Sequence, residues 1–208
     1  MNNNYLENIK NAIKFSHELG LQNLQLTPAA KQYTEKKEMD KLLEIVNGEL
    51  FDFIEQKFAI YPYWGNMCLD LNAHAFMYLH ALGYNVDMVF GNINVNNSPD
   101  DEFDVTKESL MYEYNNKITT GIQNVHAWVN IGGDIILDFA IMPRLIKNYS
   151  YPRKLGDVIC STAHILEKHY KLIYKPLLVG SDFFTITNTY NPLEKASNLK
   201  VIMQSQFR

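Results

Sequence analysis

The chain has 208 residues, 47% of them hydrophobic and 12% aromatic, which is enough apolar material for one compact domain with a substantial core. A net charge of −4, a pI near 5.9 and the lack of a basic stripe leave no electrostatic case for nucleic-acid binding. No run approaches the ~18 apolar residues of a membrane span, and the opening MNNNYLENIK lacks the basic-then-apolar pattern of a secretory signal.

In chain order, residues 3–19 carry Leu6, Ile9, Ile13 and Leu19 at helical spacing and stop at Gly20. Thr27-Pro28 reads as an N-cap followed by proline in the first helical position. Leu42, Leu43, Ile45, Val46, Leu50, Phe51, Phe53, Ile54 and Phe58 then continue a 3.6-residue pattern, with a break expected near Asn47-Gly48. Residues 1–60 are thus expected to be helices packed on a core formed by 61–208. Tyr61-Pro62-Tyr63 enforces an extended approach to residue 64, because a residue before proline avoids the helical region.

The next stretch, WGNMCLDLNAHAFMYLHALG over residues 64–83, organises the rest of the chain. Asn66 suits an N-cap and Gly83 a C′ residue, which predicts a helix over Met67–Leu82. Cys68, Leu71, Asn72, Ala75, Leu79 and Leu82 share one stripe, and Leu69, Phe76, Met77 and Tyr78 make most of the remaining surface apolar. Asp70 is the sole formal charge. A helix apolar nearly all round is a buried one. Cys68 falls in its first turn, where unpaired N–H groups and the helix dipole favour a thiolate. Asn72, one turn on, is either a buried hydrogen-bonding residue or a site organiser. Two cysteines, Cys68 and Cys160, make no disulfide framework, so a reducing, cytoplasmic setting is expected, with export by a signal-independent route left open.

After Gly83, Val86–Ile93 reads as a strand with Val86, Met88 and Phe90 alternating. Residues 94–121 are polar and acidic, with Asp100, Asp101, Glu102, Asp104 and Glu108 and a short helix expected around Val105–Tyr114. A loop this long is usually functional or mobile. Its charge fits a lid or a preference for basic partners; a solvated excursion is the simpler expectation. Beyond the next hairpin, a helix is expected around Asp157–Tyr170 and strands at Pro176–Gly180, Phe183–Thr187 and Leu199–Met203.

That hairpin is Val125–Ile141, VHAWVNIGGDIILDFAI. Its odd positions are apolar throughout, from Val125 to Ile131 and from Ile135 to Ile141. Placing all of them on one face requires Ile131 to oppose Ile135 across an odd connection, Gly132-Gly133-Asp134. Trp128 then faces Asp138, and His126 is the diagonal neighbour of Asp138 on the same face. An aspartate on so apolar a strand needs a partner, since a buried unpaired carboxylate is very costly. The apolar pattern therefore predicts a His126–Asp138 pair, and an Asp-oriented imidazole is what a cysteine nucleophile requires.

A cysteine opening a buried helix, then His126-Ala127-Trp128 on a strand and Asp138 on the next, resembles the transglutaminase-like branch of the papain-like cysteine enzymes. The likeness covers roughly residues 62–143. The helix region also resembles the arylamine N-acetyltransferases, whose cysteine lies in R-G-G-x-C-x-E-x-N; here the arginine and second glycine are absent and Asp70 replaces the glutamate. The resemblance implies an α+β, papain-like fold with a mainly antiparallel sheet. It also implies a thioester acyl-enzyme formed on a protein or peptide amide by a Cys68, His126, Asp138 triad, with Trp128 beside the histidine. The backbone N–H of Cys68 is implied as one oxyanion donor, and Trp64 or Asn66 as a second; packing and capping are the alternatives for those two. Glutamine deamidation, amide or peptide hydrolysis and transglutamination all fit. So do acyl transfer from a donor such as acetyl-CoA and a non-catalytic binding module that keeps the fold. Cys160 is expected to be an inert small hydrophobe. His74 and His80 lie ~240° apart on the helix, and no metal or nucleotide motif is present, so no cofactor is expected.

Overall fold

The computed structural model describes residues 5–25, 36–117, 125–151, 157–188 and 190–206, so Thr27-Pro28 lies outside the described residues. Helix α1 (Tyr5–Leu19) buries Tyr5, Ile9, Ala12, Ile13 and Ser16, one face at helical spacing, and ends at Gly20, whose φ of 95° only glycine adopts readily. Helices α2 (Lys36–Ile45) and α3 (Phe51–Phe58) are joined by a π turn over Val46–Leu50, with non-helical Gly48 at the expected break. Helix α4 (Cys68–Ala81) buries Cys68, Leu71, Asn72, Ala73 and Ala75–Leu79 and leaves Asp70 exposed. Gly83 comes after it with φ 88°, and the N–H groups of Gly83 and Tyr84 close on the carbonyls of His80 and Leu79.

The chain is α+β. Strands β1 (Val86–Val95), β2 (His126–Ile131), β3 (Ile135–Asp138), β4 (Ile159–Thr162) and β5 (Leu172–Val179) form one antiparallel sheet in the order β4-β3-β2-β1-β5. Every residue of β1, β2 and β3 is buried. Alternation in β1 therefore carries no in-and-out signal, because both of its faces are covered. Helix α4 packs on β1, β2 and β3, and α1 packs on β5. The hairpin register is Val129↔Leu137, Asn130↔Ile136 and Ile131↔Ile135, across the three-residue connection that the apolar pattern requires.

Elsewhere the chain departs from expectation. Helix α5 (Lys107–Asn116) starts two residues after the expected Val105, at a Thr106/Ser109 capping box. Helix α6 (Ile141–Tyr149) carries Pro143 in its first turn, where a missing N–H costs nothing. Ile159–Thr162 pairs with β3 as an edge strand, and helix α7 (Ala163–Tyr170) begins only after it, where the Thr162 hydroxyl accepts from the Ile165 N–H. Phe183–Thr187 lies in helix α8 (Ser181–Thr187) and Leu199–Met203 in helix α9 (Pro192–Gln206). Short apolar runs do not by themselves separate strand from helix, and the Leu199–Met203 run leaves Val201 and Ile202 exposed. The sign of α9 was Asn191-Pro192, in which Asn191 Oδ1 accepts from the N–H groups of Leu193 and Glu194.

Gly91 marks a register shift between β1 and β5 and faces His126 of β2. A Cβ there would lie 2.2 Å from the Lys175 carbonyl oxygen, a backbone atom that can yield only by opening the strand pair. Gly91→Ala is expected to cost about 2–3 kcal/mol by overpacking, read as a lower urea midpoint at unchanged m-value.

Candidate active site

The first turn of α4, the start of β2 and the end of β3 converge. His126 Nε2 donates to Asp138 Oδ2 at 2.6 Å, and both side chains are shut off from solvent. Asp138 accepts four more hydrogen bonds. Its Oδ1 takes Asn72 Nδ2 (3.2 Å) and the N–H groups of Ala140 (2.9 Å) and Ile141 (3.2 Å), and its Oδ2 takes the Tyr174 hydroxyl at 3.0 Å. Burial alone would push this carboxyl up; the His126 charge and the ring of donors more than offset that and hold it below the ordinary range. Burial alone would likewise pull His126 down, but the Asp138 carboxylate and a hydrogen bond with Cys68 raise it to about 10. Nε2 is committed to Asp138, so Nδ1 is the ring nitrogen left for the thiol. Cys68 is 9% exposed, and its Sγ lies 3.4 Å from the Val125 carbonyl just before β2.

The rings around His126 form a column. Phe103 stacks on it with centroids 4.7 Å apart and planes at 16°, Trp128 lies 6.0 Å away at 25°, and Tyr174 meets Trp128 edge-on at 5.1 Å. Trp128 is fully buried and its Nε1 donates to the Tyr5 hydroxyl, so it supports the site from behind. Asn72 is buried and bridges helix and hairpin: its Nδ2 donates to the Ala127 carbonyl (2.8 Å) as well as to Asp138, and its Oδ1 accepts the Phe139 N–H (3.1 Å).

One expectation about the helix start needs correction. Asn66 is exposed and does not cap α4; Met67 occupies the cap position with φ −112° and ψ 27°, and no side chain caps the helix. For Trp64 the contacts are those of the packing alternative: its indole N–H donates to the Phe58 carbonyl at 3.2 Å and its ring lies against Phe51. Tyr174 and Phe103 belong to the site although nothing in the sequence singled them out. Cys160 lies on edge strand β4, and burial pushes its thiol up to about 12. His74 is wedged among Phe53, Phe58 and Tyr190, while His80 contacts Phe76 and Gln25. Among the described residues no cluster of three or more His, Cys, Asp or Glu is placed to hold a metal ion, and no helix is long and apolar enough to cross a membrane.

Comparison with protein-family models, with curated proteins and with solved structures returns no match to this chain.

Proposed function

We propose that the chain is a cysteine-dependent acyl-transfer enzyme acting on an amide of a protein or peptide, with Cys68 as nucleophile, His126 as general base and then acid, and Asp138 as orienter. One observation carries this reading: a buried imidazole held by a five-fold hydrogen-bonded carboxylate, with a thiol at the start of a helix lying 3.4 Å from the carbonyl of Val125, the residue before that histidine. A carboxylate of this kind fixes the tautomer with hydrogen on Nε2 and stabilises the imidazolium. With the imidazolium stabilised, transfer of the thiol proton to Nδ1 leaves thiolate and imidazolium. The thiolate attacks the amide carbonyl carbon, and the developing oxyanion is met by the uncapped N–H at the start of α4. His126 Nδ1 then gives its proton to the departing nitrogen, leaving a thioester on Cys68. Water or an amine, deprotonated by the same Nδ1, releases the acyl group and restores the thiol.

This arrangement supports the transglutaminase-like, papain-like reading, in which a helix bearing the cysteine packs on strands bearing histidine and aspartate. Asn66, exposed two residues before Cys68, remains a side chain able to supply a second oxyanion donor; Trp64 is spent on Phe58. A reducing, cytoplasmic compartment would keep the thiol available.

The test combines labelling and turnover. Iodoacetamide at pH 6 is expected to modify Cys68 stoichiometrically and to spare Cys160, whose thiol stays protonated far above that pH. His126→Ala is expected to slow Cys68 labelling by about 100-fold, in line with the worth of a general base. Ammonia release from a glutamine-rich protein such as casein, lost in Cys68→Ala, completes the case. A Cys68 labelled no faster than Cys160 at pH 6 sinks the enzyme reading and favours a binding module.

A further inference from the structure

Within the acidic stretch after β1, Asp100, Asp104 and Glu108 are exposed, as a solvated excursion requires, but Glu102 turns inward. Glu102 has a side chain only 6% exposed and binds three groups of α6: Arg144 Nε at 2.5 Å, Asn148 Nδ2 at 3.3 Å and the Tyr149 hydroxyl. Burial works against its charge, yet these donors hold its carboxyl below the ordinary range. The neighbouring Phe103 is buried face-on against the His126 imidazole, and the Arg144 guanidinium lies 4.7 Å from the centroid of the same phenyl ring. The loop is pinned along its length. The Glu102 N–H donates to the Ile93 carbonyl, Asn92 and Val105 exchange side-chain-to-backbone hydrogen bonds, and Lys175 binds Asp101 at 2.7 Å.

Three features coincide. One face of the catalytic imidazole is sealed by a ring from a distant loop. That ring is flanked by a carboxylate clasped to a separate helix. The sulfur beside it is nearly closed off. We infer that Glu102 and Phe103 form a latched cover over the Cys68–His126 pair. Phe103 positions the imidazole and shields it, the Glu102 clasp on α6 holds that ring down, and substrate gains Cys68 when the clasp lets go. The inference rests on the acyl-transfer reading and adds a means of regulating it. Phe103 is a positioning residue: its ring restricts the imidazole to the plane that serves both Asp138 and Cys68 and keeps water from that face. A stacked ring is also a favourable neighbour for the imidazolium that the mechanism builds up. Release of Glu102 costs three hydrogen bonds, one of them to a charged donor, which is what holds the cover closed.

Two thiol reagents of different size separate access from activation. In a Cys160→Ser background, rates of Cys68 labelling by iodoacetamide and by fluorescein-5-maleimide are compared from pH 5 to 9 in the unmodified site and in Glu102→Gln, Tyr149→Phe, Phe103→Ala and Phe103→Tyr. Glu102→Gln and Phe103→Ala are expected to raise the bulky-to-small rate ratio at least tenfold, and Tyr149→Phe, which leaves the carboxylate in place, to raise it by less. Phe103→Ala is expected to move the midpoint of the iodoacetamide pH profile as well, and Phe103→Tyr to restore both ratio and midpoint. A ratio within twofold of the parent in both Glu102→Gln and Phe103→Ala, each shown folded by its melting curve, overturns the cover. If every variant instead shows an ordinary thiol pH profile while the ratio still rises, the cover stands and the acyl-transfer reading fails.

Discussion

Asp138→Asn is expected to lower Cys68 reactivity and any acyl-transfer rate by about 10²–10⁴-fold, and to destabilise the protein by about 3–5 kcal/mol near pH 6. Both effects come from one atom exchange. Oδ1 of Asp138 faces three donors and Oδ2 faces two, so neither position accepts an NH₂ group without opposing hydrogen to hydrogen. The least costly adjustment is for His126 to present a bare Nε2 to the new amide and carry its hydrogen on Nδ1. That tautomer cannot take a proton from Cys68. The loss of stability should also depend on pH in a definite sense. His126 is raised in the folded protein, from 6.5 to about 10, so its contribution is whole below the unfolded value and disappears as pH climbs through the folded one. Asp138 is lowered, so its contribution is whole above the ordinary carboxylate value of about 3.9 and disappears as pH falls through the folded one. The parent's advantage over Asp138→Asn is therefore greatest between about pH 4 and 6.5 and shrinks toward pH 10. Urea unfolding at a series of pH values reads this directly, and a difference that grows above pH 8 would contradict the pairing.

The His126–Asp138 contact was legible because strand registry has a period of two. One decision, that Val129, Ile131, Ile135 and Leu137 share a face, fixes the connection length and leaves His126 and Asp138 nowhere else to point. The Gly48 break and the Gly83 terminus were legible for a similarly local reason, since backbone conformation there is set by the residue itself. Tyr174 and Phe103 were not legible. Each meets the site from a strand or loop far along the chain, by contacts that no short-range spacing encodes. Asp100 and Asp104 are exposed as their charge suggests, whereas Glu102 was not legible: a charge is read as solvated unless its partner is known, and the partners of Glu102 lie in a helix more than forty residues on. Asn66 looked like a cap by residue type, yet the chain turns into α4 one residue later, at Met67, and leaves that amide in solvent. Asn72 was legible only as an alternative between core and site; it is buried and hydrogen-bonds Asp138 directly.

Asn72→Asp should convert that dual role into a pH-dependent defect. The substitution is isosteric, so it opens no cavity, and its oxygen can still accept the Phe139 N–H. The amide nitrogen, however, donates both to the Ala127 carbonyl and to Asp138 Oδ1 3.2 Å away, and a carboxylate there offers only repulsion. Two ionised carboxylates in a dry interior share a single histidine as counter-charge, so one must take up a proton, and the folded pKa of that one rises above about 3.9. A raised folded pKa gives stability that is present at low pH and lost as pH increases. Asn72→Asp is thus expected to lie within about 1–2 kcal/mol of the parent near pH 4, where its protonated oxygen can donate to Asp138, and about 3–5 kcal/mol below it at pH 7 and above. Asn72→Ala provides the contrast. It abandons the Ala127 carbonyl and the Phe139 N–H at every pH, and should show a deficit of about 2–4 kcal/mol that changes little from pH 4 to 8. If Asn72→Asp shows the same flat profile as Asn72→Ala, the residue at position 72 does not sense the charge of Asp138, and the carboxylate is held by the backbone of Ala140 and Ile141 and the hydroxyl of Tyr174 without help from the cysteine helix.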